Sequence, residues 1–308
     1  MTSLYNLRAS LFIIMAVLLL FGARGVFAAE PAAGGKTGAA AAKPTGHKLV
    51  EITELTYHLL EGKIEGDRGG FSVSGASTGI RVWKFNFNYD VSSFSWDDPA
   101  RLPFGDGRSA PWKTLKTVGF GFIDFKKISE RFRYFYNVWA NSGFEDEMGT
   151  WGVGGAGGVV WIFSPSLVFR LGGIGIYHPV NSWALPLVGV DYQPADKLGF
   201  SCRLGFPSTR VSYNFTPDMS VFAQLWFEQR MYNLSDNNKV RPNGYVEIID
   251  QGAGLFWGIE PAEFMRLRFG LIYVPRRFIH LYDHDRDKHG SHDVDPSYGA
   301  AMEAKILF

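Results

Sequence analysis

The residues best suited to chemistry lie near the C-terminus, between Asp283 and Pro296. This segment contains His284, Asp285, His289, His292 and Asp293. Imidazole nitrogens and carboxylate oxygens are ligands for zinc and related transition metals. No spacing among them matches a known metal site, and a flexible loop holds ligand geometry poorly. The sequence therefore favours a solvated, charge-balanced loop and predicts no metal site or cofactor.

Hydrolysis is the second chemistry for which the sequence supplies residues. A hydrolase of this kind needs a histidine within hydrogen-bond reach of a serine or an aspartate. Two sets have that composition: His178 with Ser182, and His280 and His284 with Asp283 and Asp285. Neither set is accompanied by a nucleophile motif. A hydrolase with a histidine-containing site at an extracellular rim is therefore the alternative function, and no catalytic residue is predicted.

The elements that would position these segments are strands, and the C-terminal strand shows this best. Successive side chains of a strand point to opposite faces. One face carries Tyr298, Ala300, Met302, Ala304, Ile306 and Phe308, and the other carries Glu303 and Lys305. A strand with one wholly apolar face and a terminal aromatic is typical of a transmembrane β-barrel, which meets lipid outside and encloses a polar lumen.

The N-terminal region precedes the predicted strands and has a different composition. Residues 1–28 form a predicted secretory signal peptide, in which Arg8 precedes an apolar run at 10–22 and small residues follow at 26–28. An uncleaved anchor is the alternative, although the run is short for a membrane span. Residues 29–48, rich in Ala, Gly, Pro and Lys, predict a flexible periplasmic linker.

Residues 79–308 divide into apolar-alternating runs joined by two kinds of connection. Short turns alternate with longer polar loops, as they do between the periplasmic and extracellular ends of outer-membrane barrels. We count about twelve strands, near 80–91, 115–125, 131–140, 151–163, 167–178, 183–193, 198–206, 209–215, 219–234, 245–259, 264–282 and 297–308. An even number returns the C-terminus to the periplasmic side. Residues 49–78 resist assignment and are expected in the periplasm or the lumen, with two further strands there, giving fourteen, as the alternative.

The alternation alone would also fit a soluble β-sandwich. Many of the runs reach 10 or more residues, about what a tilted strand needs to cross a bilayer, whereas sandwich strands average roughly 5 or 6. The 308 residues include 26 Phe, and the aromatics cluster toward both ends of the strands, as in two membrane-interface girdles. So many outward rings would make a soluble protein aggregate. The fold prediction is an all-β, antiparallel, up-and-down barrel in outer-membrane lipid. The net charge of +1 gives no general attraction to nucleic acid.

The lumen face is predicted from parity to be charged. Its residues are Lys84, Asp90, Arg133, Arg170, Asp191, Arg203, Arg210, Glu228, Arg230, Arg266, Arg268, Glu303 and Lys305. Two interpretations stay open: a paired network that fills the interior, and a narrow aqueous pore whose positive excess favours anionic solutes. The longest loop, 92–113, contains Trp96 and Trp112. It either folds into the lumen as a constriction, contacts an external partner, or is disordered or self-packed.

Together, the signal peptide, the aromatic C-terminal strand and the turn asymmetry make the chain resemble Gram-negative outer-membrane β-barrels. The stretch 183–197, with 205–208, is similar to a porin-like barrel family of unknown function. The resemblance covers 80–308 and implies that the barrel-insertion machinery recognises the terminal strand through Tyr298, Ile306 and Phe308. The resemblance implies no particular activity for this chain. The predicted function is passive passage of small anionic solutes, or a structural role if the lumen is filled, and not an enzymatic one.

Overall fold

The computed structural model of the protein describes residues 50–66 and 68–308, which form one large antiparallel sheet. The predicted signal peptide and linker lie outside the described residues. Within the described ranges the only helix is a 3-10 turn at Pro99–Arg101, and none is long and apolar enough to cross a bilayer. The strands are β1 (Val50–Lys63), β2 (Gly70–Val82), β3 (Phe85–Asp97), β4 (Thr114–Lys127), β5 (Phe132–Phe144), β6 (Gly152–Ser164), β7 (Leu167–Tyr177), β8 (Trp183–Tyr192), β9 (Gly199–Gly205), β10 (Ser208–Thr216), β11 (Met219–Asn233), β12 (Tyr245–Ala262), β13 (Met265–Tyr282), β14 (Lys288–Val294) and β15 (Ser297–Leu307).

The sheet closes on itself through β1, which pairs with β2 on one side and β15 on the other. Ile52 lies opposite Ile80 of β2 and Ile306 of β15. The β12–β13 and β13–β15 pairings complete a ring of fourteen strands. β14 pairs with the upper part of β13, beyond the β15 pairing, and bridges to Ile64 after β1, so it extends the wall of the barrel above β15. Closure leaves no edge strand with unpaired backbone groups, and such groups are costly in lipid.

The expected count of twelve strands is wrong, because residues 49–78 are not left outside the barrel. They supply β1 and most of β2. The expected first strand at 80–91 is in fact the end of β2 and the start of β3, separated by a turn at Trp83 and Lys84. The two added strands keep the number of strands even, and fourteen is the alternative count predicted from the sequence. Val50 and Phe308 exchange backbone hydrogen bonds of 3.3 and 2.8 Å, so the first and last strands end on the same side.

The outer surface of the ring is apolar over most of its circumference. Phe87 is 49% exposed, Leu255 is 57% exposed and Leu271 is 69% exposed. Rings gather near both ends of the strands: Tyr273 stacks on Tyr298 at 4.7 Å on the extracellular side, and Trp161 packs on Phe169 at 5.6 Å on the periplasmic side. Burial of these side chains in hydrocarbon removes them from water. The alternate positions of the strands, which carry the charged residues, therefore face the lumen.

The connections differ between the two ends of the barrel. At the periplasmic end the turns at 165–166, 217–218 and 263–264 contain two residues each, whereas 98–113 and 234–244 at the extracellular end are long. β12 and β13 each have 18 residues, more than the roughly 10 that a tilted strand needs to cross a bilayer. Their upper parts therefore extend beyond the membrane.

The extended extracellular part of the sheet folds across the barrel. Asn233 at the end of β11 forms a parallel bridge with Phe144 of β5, although β5 and β11 are six strands apart around the ring. The backbone N–H of Glu145 donates a 2.9 Å hydrogen bond to the carbonyl oxygen of Asn233. This contact divides the interior at its extracellular end into a β1–β4 and β11–β15 side and a β5–β10 side.

Candidate functional site in the barrel lumen

The main cavity of the described residues lies in the lumen and has a volume of about 180 Å³. Side chains from β1, β2, β9 to β13 and β15 surround it. They are Thr53, Leu55, Tyr57, Leu59, Ser77, Arg203, Ser208, Arg210, Phe222, Gln224, Trp226, Glu228, Arg230, Asp250, Phe256, Arg268, Ile272, Val274, Arg277, Ala301, Glu303 and Lys305. Six of these are Arg or Lys and three are Asp or Glu, so the wall carries more positive than negative groups.

Most of the cations in the wall are held by carboxylates. Arg277 binds Asp250 through Nε at 2.6 Å and Nη2 at 2.8 Å. Arg230 Nη2 lies 2.6 Å from Glu228 Oε1, and Arg268 Nη1 lies 3.1 Å from Glu303 Oε1. Buried charges require such partners, and the planar guanidinium suits them because it presents several donors in one plane.

Two further charge groups border the cavity. Asp191 of β8 joins Arg170 of β7 to Arg203 of β9, with Arg203 Nε at 3.0 Å from Asp191 Oδ1. Arg210 of β10 places its guanidinium 3.7 Å from the centre of the Phe222 ring. Its Nε donates a 3.1 Å hydrogen bond to Ser212 Oγ, and stacking of the guanidinium on the ring face fixes its orientation.

Two other residues predicted for the lumen, Asp90 and Lys305, also interact with groups of opposite charge. Asp90 of β3 is buried and interacts electrostatically with Arg230. Lys305 Nζ lies 2.9 Å from Glu51 Oε2.

Six of the predicted residues are not among those that surround the cavity: Asp90, Arg170 and Asp191, described above, and Lys84, Arg133 and Arg266. Lys84 lies in the β2–β3 turn, where its Nζ is 3.0 Å from Asp124 Oδ1. Asp124 stands opposite the exposed Tyr136, on the outward parity of β4. Arg266, near the periplasmic end of β13, pairs with Glu260 at 2.9 Å. Arg133 lies one residue after the start of β5.

Arg277 is the cavity residue that parity misses. On β13 the odd positions Phe269, Leu271 and Tyr273 face outward, and Arg277 shares their parity. The register with β12 shifts between Gln251 and Ala253, and beyond this bulge the odd residues of β13 face inward. The opposite parities of Glu247 and Asp250 do not come from a bulge in β12, whose register with β11 is continuous; Asp250 is in the cavity wall and Glu247 is buried on the other face of the strand.

Above the cavity the lumen is filled by a cluster of apolar side chains, which we call the apolar plug. Its buried members are Leu55, Leu59, Ile64, Phe71, Val73, Trp112, Leu115, Tyr232, Leu234, Val246, Ile248, Ile272, Val274, Ile279, Leu281, Val294 and Ala301. The plug includes the β3–β4 loop, since Trp112 is 1% exposed and Phe104 stacks on it at 6.0 Å. Trp96 Nε1 donates a 2.6 Å hydrogen bond to the Trp112 carbonyl. Of the predicted loop at 92–113, residues 92–97 belong to β3, and the connection at 98–113 folds inward.

A buried carboxylate on the other side of β12 holds the extracellular end together. Glu247 has a side-chain exposure of 0%. It accepts hydrogen bonds from Asn181 Nδ2 at 2.8 Å, from Tyr282 Oη at 2.8 Å and from Gln229 Nε2, and it pairs with His280 Nδ1 at 2.9 Å. These contacts join the β7–β8 loop to β11, β12 and β13. They border a second, polar cavity of about 40 Å³.

His178 and Ser182, the first of the two sets considered for hydrolysis, do not form a catalytic pair. Ser182 Oγ accepts from the backbone N–H of His178 at 3.1 Å and donates to its carbonyl at 3.0 Å. The imidazole Nδ1 of His178 instead accepts from the backbone N–H of Val180. Burial lowers the pKa of His178.

The histidines of the C-terminal loop are likewise dispersed among different partners. His289 Nε2 lies 2.7 Å from Asp283, and His292 Nδ1 lies 2.8 Å from Glu65. Within residues 50–66 and 68–308 no three His, Cys, Asp or Glu side chains come together as a metal site.

A closed ring of antiparallel strands with an apolar exterior and charged interior defines a transmembrane β-barrel, and this one belongs to the bacterial outer membrane.

Among solved structures the chain is similar to the KdgM porin in complex with disordered oligogalacturonate, at 8% identity and a TM-score of 0.35, over 83% of this chain and 99% of that one. It is similar to an outer-membrane channel from Pseudomonas putida F1, at 8% identity and a TM-score of 0.38, over 84% and 95% of the two chains. The Pseudomonas putida toluene transporter TodX aligns at 8% identity and a TM-score of 0.32, over 84% and 89%. No protein-family model and no curated protein sequence matches the chain.

Proposed function

We propose that the barrel is a passive conduit for small anionic solutes and that the apolar plug is its closed extracellular gate. The observation that carries this proposal is the wall of the 180 Å³ cavity, which contains six cationic and three acidic side chains. Two further carboxylates, Asp191 and Glu51, pair with Arg203 and Lys305 from outside the lining, so the positive excess is small. A confined, low-dielectric space with one excess sign of charge concentrates ions of the other sign.

The arginines of the wall suit recognition of an anion even though they are paired. Arg210 and Arg268 both lie near the Phe222 ring, at 3.7 and 5.5 Å from its centre. Each guanidinium has five N–H donors, and a single carboxylate oxygen cannot accept hydrogen bonds from all of them. A carboxylate or phosphate entering the cavity therefore finds donors without breaking every existing pair.

The plug accounts for control of the passage. An apolar constriction excludes water, and a dewetted segment blocks ions without any charged barrier. Trp112 is the part of the plug best placed to move, because it is carried by the long β3–β4 connection rather than by a strand.

A structural barrel with a filled lumen is the second candidate. The ion pairs Arg277–Asp250 and Arg268–Glu303 each join neighbouring strands of the wall, and the plug fills the interior above them. No comparable observation favours the hydrolase.

Assembly follows from the last strand. The outward side chains of Tyr298 and Phe308 are 60% and 63% exposed. With Ile306 they present the row of apolar groups through which, in this proposal, the insertion machinery recognises the chain.

Planar-bilayer recording with the purified protein tests the proposed conduit. The wild-type barrel should be closed for most of the time, and Trp112→Ala should increase the fraction of time in which current flows. Trp151→Ala is the matched control, because Trp151 is 39% exposed and lies outside the plug. Absence of current at every voltage from both the wild type and Trp112→Ala would leave only the structural barrel.

A further inference from the structure

The outer surface of the barrel has one polar sector, formed by β1 and β2. The outward side chains of this sector, which we call the β1–β2 patch, are Glu54, Thr56, His58, Ser74, Ala76 and Thr78. They share a face because Glu54 is opposite Thr78, Thr56 is opposite Ala76 and His58 is opposite Ser74. His58, Ser74 and Ala76 are exposed, and the other three are partly buried.

The patch lies within the apolar band of its neighbours. On one side Glu54 and His58 lie opposite Ala304 and Ala300 of β15. Those two alanines lie opposite Leu267 and Leu271 of β13, of which Leu267 is partly buried and Leu271 is 69% exposed. On the other side Thr78 pairs with Tyr89 of β3, which is 40% exposed and follows the outward Phe87. The polar groups are therefore at the depth at which adjacent strands present hydrocarbon-facing side chains.

The hydrogen bonds within the patch leave capacity for more. Thr78 Oγ1 donates to Glu54 Oε2 at 2.8 Å, and His58 Nδ1 lies 2.8 Å from Ser74 Oγ. Within the part of the chain that the structure describes, Glu54 has no salt-bridge partner. Lipid chains offer nothing to a carboxyl group, and an ionisable residue facing them is rare unless a protein surface covers it.

The shape of the sector also favours close approach. Ala76 of β2 lies opposite Thr56, and on β15 Ala300 and Ala304 flank Met302, which is 49% exposed and lies opposite Thr56 on that side. The strands farther around the ring present Phe, Tyr, Leu and Trp. Small and hydroxyl side chains let two membrane-embedded surfaces come near enough for hydrogen bonds between them.

We propose that the β1–β2 patch is the contact surface for a second copy of this chain, related by a twofold axis along the membrane normal that passes between β1 and β2. Such an axis sets β1 of one copy against β2 of the other at equal depth. Glu54 of each copy then faces Thr78 of its partner, so the same pair of groups is used twice. A patch that contains the acceptor and the donor side by side at one depth is complementary to itself, as an isologous contact requires.

Co-expression of two differently tagged chains tests this geometry, in a background in which Cys202, the only cysteine, is replaced by serine. One chain carries Thr56→Cys and the other carries Ala76→Cys. Oxidation in intact outer membranes should produce a disulfide-linked pair carrying both tags. The matched control places Val188→Cys on one chain and Leu204→Cys on the other. These residues are 50% and 45% exposed on β8 and β9, diametrically across the ring, and should remain unlinked.

Measurement of the mass in mild detergent gives the second readout. The wild type should sediment as a dimer, and Glu54→Leu with Thr78→Val should weaken self-association by at least about tenfold while the heat-modifiable gel mobility of a folded barrel is kept. If the double variant does not fold, the cross-link alone decides. Equal linkage in the test and control pairs, no linkage in either, or linkage of position 56 to a different protein would each overturn the proposal.

Discussion

Arg277 binds Asp250 with two hydrogen bonds inside the lumen, at 2.6 and 2.8 Å, although its sequence parity is that of the lipid-facing residues of β13. A bulge in β13 makes this contact, because β13 takes three residues from Tyr273 to Arg276 where β12 takes two from Ala253 to Gln251, and the upper part of β13 is thereby shifted by one position. The pair sits where the charged cavity meets the apolar plug, so a single irregularity in the sheet determines how the two regions join.

Loss of the carboxylate in this pair should destabilise the barrel. Asp250→Asn leaves the Arg277 guanidinium, 6% exposed, without its charged partner, and breaking a buried pair from one side costs about 3–5 kcal/mol. Urea unfolding followed by tryptophan fluorescence measures the change. Arg276→Gln is the control, since the neighbouring Arg276 is exposed, and an equal loss in both variants would contradict the role given to the pair.

Glu247 should hold the extracellular loops in place. In Glu247→Gln the side chain becomes a donor at one of its two ends, so it cannot accept from all of Asn181, Gln229 and Tyr282, and each buried group left unsatisfied costs about 1–3 kcal/mol. Hydrogen exchange should become faster at 178–182. Glu260→Gln, at a carboxylate whose side chain is 41% exposed, should leave that loop unchanged. Unaltered exchange in Glu247→Gln would mean that the β7–β8 loop is fixed by other contacts.

Arg210 should contribute to anion preference. Arg210→Gln removes a positive charge from beside Phe222, so the ratio of chloride to potassium permeability of the open barrel should fall. Arg131→Gln provides the comparison, because Arg131 is exposed in the β4–β5 turn. An unchanged ratio in Arg210→Gln would place the selective region elsewhere in the lumen.

The terminal aromatic should matter for assembly rather than for conduction. Deletion of Phe308, which is 63% exposed, removes the last outward apolar group, so the heat-modifiable form in outer-membrane fractions should decrease severalfold. Phe308→Tyr keeps an aromatic and should assemble normally. Wild-type levels of the deletion variant would show that insertion does not depend on this residue.

Most of the strands could be predicted from the alternation of apolar and polar residues, and the strands that were missed have a physical explanation. Strands such as β3 and β13 show rings on one parity and charge on the other, because one face meets lipid. β1 does not show this pattern, since its outward parity includes Glu54 and His58, and β2 presents Ser74 and Thr78. The two strands that were missed are therefore the two with a polar exterior.

The lumen was less predictable than the fold. Parity correctly assigns Arg203, Arg230 and Arg268 to the face that surrounds the cavity. It cannot anticipate a bulge, so it assigns Arg277 to the lipid-facing side. It assigns Lys84 to the lumen, although a two-residue turn places this residue beside Asp124. The plug depends on the fold of the long β3–β4 connection, and no periodic pattern indicates where Trp112 packs.

The most direct test of the account is the reversal potential of Trp112→Ala in a potassium chloride gradient across a planar bilayer. An excess of cationic side chains around the cavity predicts a potential displaced toward the equilibrium value for chloride. A potential displaced toward the value for potassium would contradict the proposed selectivity, and a bilayer that carries no current would contradict the conduit itself.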